Sequence, residues 1–205
     1  FALEMLSSLA IMMTHASRVC EELVVWSSGF ARFVELDDAF CSTSSIMPQK
    51  KNPDTAEVMR AKAGSVLGSA TAAFTIVKAL PLSYNRDLQE LNPHLWRGIS
   101  DAKHSTRLLV DMLSSATFNV AVMAEEAGRG YSTATDVADM LVQSHGFPFR
   151  TAHTLVGKAI QKGALDLPTL DRAAEEMGLA PLSKTGVTGD EIAAALDVRA
   201  CVDRR

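Results

Sequence analysis

The sequence of 205 residues predicts an all-α protein, a long antiparallel helical bundle followed by a small C-terminal helical domain. Three observations carry this. Apolar and small residues recur at alternating three-and-four spacing over stretches of about 26 residues, well beyond the mean globular helix. Apolar residues make up 47% of the chain and aromatics only 6%, a balance that suits a globular, helix-rich protein. Beyond Gly130 the pattern breaks into short helices opened by Ser, Thr or Pro and closed by Gly.

The first helix is expected from Leu3 to Ser28, with a seam at Leu6, Leu9, Met13, Ala16, Cys20 and Leu23 and a stop at Ser27-Ser28-Gly29. At about 1.5 Å per residue such a rod is roughly 40 Å long, and only a bundle accommodates it. Residues 29–52 then read as a connection of about 24 residues, although connections beyond about 12–15 are uncommon unless they are functional or disordered. A second long helix is expected to open at Asn52-Pro53-Asp54, with Asn52 as cap and Pro53 at the first helical position, and to run to about Leu80. Its seam of Val58, Ala61, Ser65, Gly68, Ala72, Thr75 and Ala79 consists largely of small residues, so a neighbouring backbone can come close and a buried central place follows. The third helix is expected to restart at Asn92-Pro93 and continue through Leu95, Ile99, Ala102, Thr106, Leu109, Leu113, Ala116 and Val120 to Met123, fading at Gly128 and Gly130. Residues 1–130 thus form the bundle, with the 29–52 loop, and 131–205 a second domain. That domain is expected to hold helices over 133–145, 148–162 and 168–177 and another from Asp190 onward.

Composition narrows the function classes. A net charge of -4 and the lack of any basic run longer than two residues give no nucleic-acid footprint and no polybasic membrane patch. Residues 131–205 hold eight Lys/Arg against ten Asp/Glu, which argues against a DNA-reading helix pair. The most apolar window, Ser65 to Leu80, is short for a bilayer and carries Lys78. Cys20, Cys41 and Cys201 are scattered without metal-ligand spacing and read as reduced thiols of a cytoplasmic protein. The sequence opens at Phe1 inside a helical pattern, and the expectation is a piece of a longer chain.

Chemistry concentrates in Cys41–Glu57. Ser44 and Ser45 hydroxyls, the Lys50 and Lys51 ammonium groups, the Asn52 amide and the N-terminus of a long helix are donors and cations that suit a carboxylate. A solvated loop ahead of a capped helix accounts for the same residues. In addition, Asp54-x-x-Glu57 fits a capping box.

The order of these residues is more specific. Ser44-Ser45-Ile46-Met47-Pro48-Gln49-Lys50-Lys51-Asn52-Pro53 resembles the S-S-x-M-P-x-K-x-N signature of the fumarase/aspartase superfamily, and the extension through Asp54 resembles its argininosuccinate lyase family. Leu80-Pro81-Leu82-Ser83-Tyr84-Asn85-Arg86-Asp87-Leu88-Gln89-Glu90 is similar to a second motif of that family, and Pro148-Phe149-Arg150-x-x-His153 to its C-terminal domain. The resemblance implies a carbon–nitrogen lyase of arginine biosynthesis, a homotetramer whose sites are assembled from several subunits, acting without a metal or organic cofactor. It splits argininosuccinate into arginine and fumarate by anti-elimination. By the same resemblance Ser44 is the base, Lys50 and Asn52 hold the carboxylate that takes up the carbanion's charge, and Glu57 orients an acid-side histidine. That histidine lies in a part of the family's sequence that these residues do not include. Ser45, Tyr84, Arg86 and Gln89 match substrate-contacting positions, and the chain alone is expected to be inactive.

Two departures stand out: Thr43 occupies a place where the family more often has Gly, and Leu91-Asn92 replaces a common Asp-Lys. His15, His94, His104, His145 and His153 are expected to be structural. Two other readings stay open: a related enzyme acting on another succinyl adduct, such as adenylosuccinate lyase, and a non-catalytic, crystallin-like scaffold.

Overall fold

The computed structural model describes residues 1–47 and 49–203; Pro48 of the signature and Arg204-Arg205 lie outside the described residues. The protein is all-α, with nine α-helices and four two-residue strands among those residues. Two compact units divide the chain, Phe1–Val120 and Ala121–Arg205.

The first unit is built on three long helices: α1 (Ala2–Trp26), α2 (Asp54–Val77) and α3 (Leu88–Ser115). Their pairing is antiparallel from α1 to α2 and from α2 to α3. One apolar cluster joins the start of α1 (Leu6, Ala10) to the end of α2 (Ala70, Ala73) and the start of α3 (Leu95). A second joins the end of α1 (Cys20, Leu23) to the start of α2 (Ala56, Met59) and the end of α3 (Met112). Each fully buried Leu or Met of these clusters contributes about 1.5–3 kcal/mol by leaving water. Ion pairs fix the registers: Arg60 meets Glu21 across α1 and α2, and Lys62 Nζ lies 2.8 Å from Asp101 Oδ1 across α2 and α3.

Helix boundaries differ from the expected ones in three places, each for a local reason. Asn52 does not cap α2, because it is drawn into a strand; the N-cap is Pro53 and no side chain bonds the first turn. The Asp54-x-x-Glu57 capping box is therefore not formed. The third helix opens at Leu88, ahead of Pro93, which sits inside it. It stops at Ser115 instead of running to Met123, because Ala116 turns extended and Thr117–Phe118 (β4) pairs antiparallel with Val34–Glu35 (β1). That pairing joins residues far apart in sequence and overrides the helical period. A separate helix, α4 (Val120–Ala127), follows.

The face that α2 buries is also not the expected one. Ala56, Met59, Val66, Ser69, Ala70 and Ala73 are covered by the chain itself. Of the small-residue seam, Val58, Ala61, Gly68, Thr75 and Ala79 are exposed, and Ser65 and Ala72 half-buried. A groove runs along this side, lined by Gly64, Gly68, Thr71, Thr75 and His94.

The second unit packs α5 (Ala134–His145), α6 (Phe149–Gln161), α7 (Leu167–Glu176), α8 (Gly189–Leu196) and α9 (Val198–Asp203). Its core includes Val137, Leu141, Leu155, Leu170, Leu182 and Ile192. Gly146 ends α5 in the left-handed region at φ 69, where a side chain would be strained, while the N–H of Phe147 reaches back to the Leu141 carbonyl. Asp166 caps α7 through the Thr169 N–H at 2.9 Å, and Thr188 with Glu191 forms a full capping box on α8.

Candidate functional site: a hairpin at one end of the bundle

The 29–52 segment is ordered by two small ladders. β1 pairs with β4 at the end of α3. Ser42–Thr43 (β2) and Lys51–Asn52 (β3) pair antiparallel, Ser42 opposite Asn52 and Thr43 opposite Lys51. The Ser44 N–H donates to the Lys50 carbonyl at 3.3 Å and carries the ladder one step further. The described part of the signature is therefore a hairpin, with residues 45–47 and 49 at its tip.

Register now decides which side chains share a face. Directly opposed residues in an antiparallel pair lie on the same side, and sides alternate along each strand. Ser44, Lys50 and Asn52 fall on one face of the hairpin, and Thr43 and Lys51 on the other. The Lys51 ammonium lies 2.6 Å from Asp38 Oδ1 and 3.4 Å from Glu35 Oε1 on that second side. Asp38 above all, through its hydrogen bond, holds the Lys51 ammonium above the ordinary lysine value. Lys50 is exposed and Ser44 and Asn52 are half-buried.

The Ser44 hydroxyl has a defined electrostatic setting. Its Oγ accepts the backbone N–H groups of Ile46 at 3.3 Å and Met47 at 3.2 Å. Hydrogen bonds given to an oxygen favour its ionised form. The Lys50 N–H donates to the Met47 carbonyl at 2.9 Å and closes the tip. Ser45 is exposed on that tip, and Glu57 stands exposed in the first turn of α2.

Tyr84, Arg86 and Gln89 are elsewhere. They follow the far end of α2, whose 24 residues at about 1.5 Å each separate them from the hairpin by about 36 Å. All three are exposed. Ser83, just before Tyr84, has φ 86, and the Asn85 amide donates to the Pro81 and Ser83 carbonyls at 3.2 and 3.4 Å, holding a strained turn. Within one chain, then, the structure groups Ser44, Lys50 and Asn52 and leaves the Tyr84–Gln89 set at the opposite end of the rod.

Sequence reasoning counted Lys51 with Lys50 among the cations for a ligand and passed over its partners Glu35 and Asp38. The available signal was the adjacency of the two lysines, since neighbours in an extended strand face opposite ways. In the second unit, a cavity of about 550 Å³ lined by Asp136, Asp139, Gln143, Glu191 and Cys201 contains none of the predicted site residues. Among the described residues no group of His, Cys, Asp and Glu is placed to hold a metal ion, and no helix is long and apolar enough to cross a membrane.

Known proteins align with both units. A family profile described as lyase matches residues 1–68, and one described as argininosuccinate lyase C-terminal matches residues 131–203. The argininosuccinate lyase of Methanoculleus marisnigri is 60% identical over 202 residues, which are 98% of this chain and 41% of that protein. The chain is a homologue of the argininosuccinate lyases. Another, from Methanospirillum hungatei, is 58% identical over 97% of the chain and 40% of its own length, so the chain spans about two-fifths of the argininosuccinate lyases it matches. A crystal structure of EDDS lyase in complex with formate superposes with a TM-score of 0.83 at 30% identity, over 98% of this chain and 41% of that one. The class II fumarase of Schistosoma mansoni, at 20% identity and a TM-score of 0.72 over 96% of this chain and 39% of its own, shares the fold.

Proposed function

We propose that the chain supplies the base-bearing hairpin of an argininosuccinate lyase, a carbon–nitrogen lyase of arginine biosynthesis. The observation that carries this reading is the shared face of Ser44, Lys50 and Asn52, with Ser44 Oγ already accepting two backbone N–H groups. Relatives at 58–60% identity support the choice of substrate. So does the likeness to an EDDS lyase variant with bound fumarate, at 29% identity and a TM-score of 0.82.

In this mechanism Ser44 Oγ acts in its ionised form, favoured by the two N–H groups it accepts and by nearby cations. It takes the proton from the carbon beside the succinyl carboxylate and becomes the neutral hydroxyl. The electron pair left behind spreads into that carboxylate, where the Lys50 ammonium and the Asn52 amide stabilise it. It then forms the carbon–carbon double bond of fumarate as the carbon–nitrogen bond breaks, and the departing guanidino nitrogen takes up a proton. Glu57 belongs to the acid side, orienting the group that delivers that proton. Ser45 and the Tyr84, Arg86 and Gln89 set hold the substrate, with Arg86 suited to a carboxylate.

Copies of the chain complete the site. The length of α2 keeps the two motifs about 36 Å apart, so in a homotetramer the substrate would meet Ser44 of one subunit and Arg86 of another. The exposed small-residue side of α2, with Leu67 at 55% and Phe74 at 49% exposure, offers a surface for such packing. The test is fumarate absorbance with the full-length protein. Ser44→Ala is expected to lower kcat by about a hundredfold to ten-thousandfold, the usual span for a general base, with the helical signal unchanged. A loss below tenfold removes Ser44 from this role.

A further inference from the structure

The side of the hairpin turned away from Ser44 and Lys50 carries its own device. We propose that Lys51 is a positioning residue: by bridging Glu35 and Asp38 it ties the signature hairpin to the β1 end of the bundle and so aims Lys50 and Asn52 at the substrate carboxylate. The proposal rests on the lyase reading above.

Three features support it. Lys51 lies in β3 between Lys50 and Asn52, so a pull on its side chain toward one face sets the direction of both neighbours toward the other. Its two partners come from separate pieces of the loop, Glu35 from β1 and Asp38 from a short 3-10 turn that Asp37 caps through the Ala39 N–H at 2.8 Å. β1 is in turn anchored by β4 and by the Asn119 N–H donating to the Phe33 carbonyl at 2.8 Å. The hairpin's own ladder is only two residue pairs and one further backbone bond, too little to hold it in one place against solvent.

The magnitude is set by exposure. Glu35 and Asp38 side chains are 78% and 92% exposed and Lys51 33%, so each pair is weak and the fold does not depend on it. Its effect falls on the position of the tip. A misplacement of about 1 Å at a reacting group costs up to roughly a hundredfold in rate.

The experiment uses the full-length protein and the variants Lys51→Met, Lys51→Arg and Asp38→Asn. Hydrogen exchange at the Ser44 and Lys50 amides is expected to speed up about fivefold in Lys51→Met and less in Asp38→Asn, with the Asn119 amide unchanged as control. In fumarate release, kcat is expected to fall about tenfold in Lys51→Met with KM within about twofold, and Lys51→Arg to keep most of the rate. Unchanged exchange at Ser44 and Lys50 overturns the proposal whatever the activity. So does full kcat in Lys51→Met. A wild-type protein without lyase activity, but with faster exchange in Lys51→Met, sinks the lyase reading and leaves the tether supported.

Discussion

At Gly98 side chains of both α1 and α2 crowd the α3 backbone, and this gives a quantitative test of the bundle. A Cβ built on Gly98 would stand 2.5 Å from Leu6 Cδ2 and 3.7 Å from Ser69 Cβ. Leu6 is fully buried and Ser69 only 4% exposed, so neither has free space to move into. Gly98→Ala gains about 1 kcal/mol of helix propensity and loses about 1–3 kcal/mol to overpacking, a net loss of about 1 kcal/mol. Leu6→Ala alone costs about 3 kcal/mol through the cavity it leaves. With Leu6 truncated the clash is gone, so adding Gly98→Ala becomes favourable by about 1 kcal/mol, and the two changes couple by about 2 kcal/mol. Urea unfolding of the two single variants and the double variant, followed by far-ultraviolet circular dichroism, measures the cycle. Additivity within about 0.5 kcal/mol would place Leu6 away from Gly98 and refute the packing described for α1 and α3.

The second unit should be acid-sensitive. Hydrogen bonds from Thr169 to Asp166, from Lys162 to Glu176 and from Thr188 to Glu191 hold these carboxyls below their ordinary values. Their folded pKa values being depressed, the stabilisation is complete above the unfolded values near pH 4 and is lost as pH falls through the folded ones. Melting temperature is therefore expected to drop below about pH 4, and Thr188→Ala to cost about 1 kcal/mol at neutral pH and to shrink the acid-dependent part; a flat melting temperature from pH 6 to 2 would contradict this. If the lyase reading holds, Lys50→Met in the full-length protein is expected to lower kcat by about a hundredfold or more, because the proposed cation at the developing charge is gone. A change in KM alone would make Lys50 a binding residue only.

Much of the bundle is legible in the sequence because α1 has one apolar seam and buries it: Leu6, Met13, Ala16, Cys20 and Leu23 are all covered. α2 is harder, since it has two low-polarity sides and the spacing does not say which one its own chain will cover. The end of α3 is illegible for another reason. Residues 116–123 keep the helical period, and only the distant partner strand at Val34–Glu35 makes Thr117–Phe118 extended. The signature's hairpin form was hidden too, because Asn52-Pro53-Asp54 is a good helix start by local rules, and the pairing of Asn52 with Ser42 wins over capping. In the second unit the glycine stops at Gly146, Gly163 and Gly178 all take positive φ, so local rules hold there.

Whether two copies share one site can be measured by mixing two inactive full-length variants, Ser44→Ala and Arg86→Ala, dissociating and reassembling them together. If Ser44 and Arg86 come to a site from different subunits, random mixing in equal amounts leaves roughly a quarter of the sites with both native residues, and about that share of wild-type fumarate release returns. No recovery from a mixture shown to contain hybrid oligomers would mean that both residues serve a site from one chain, which a rigid α2 about 36 Å long does not permit.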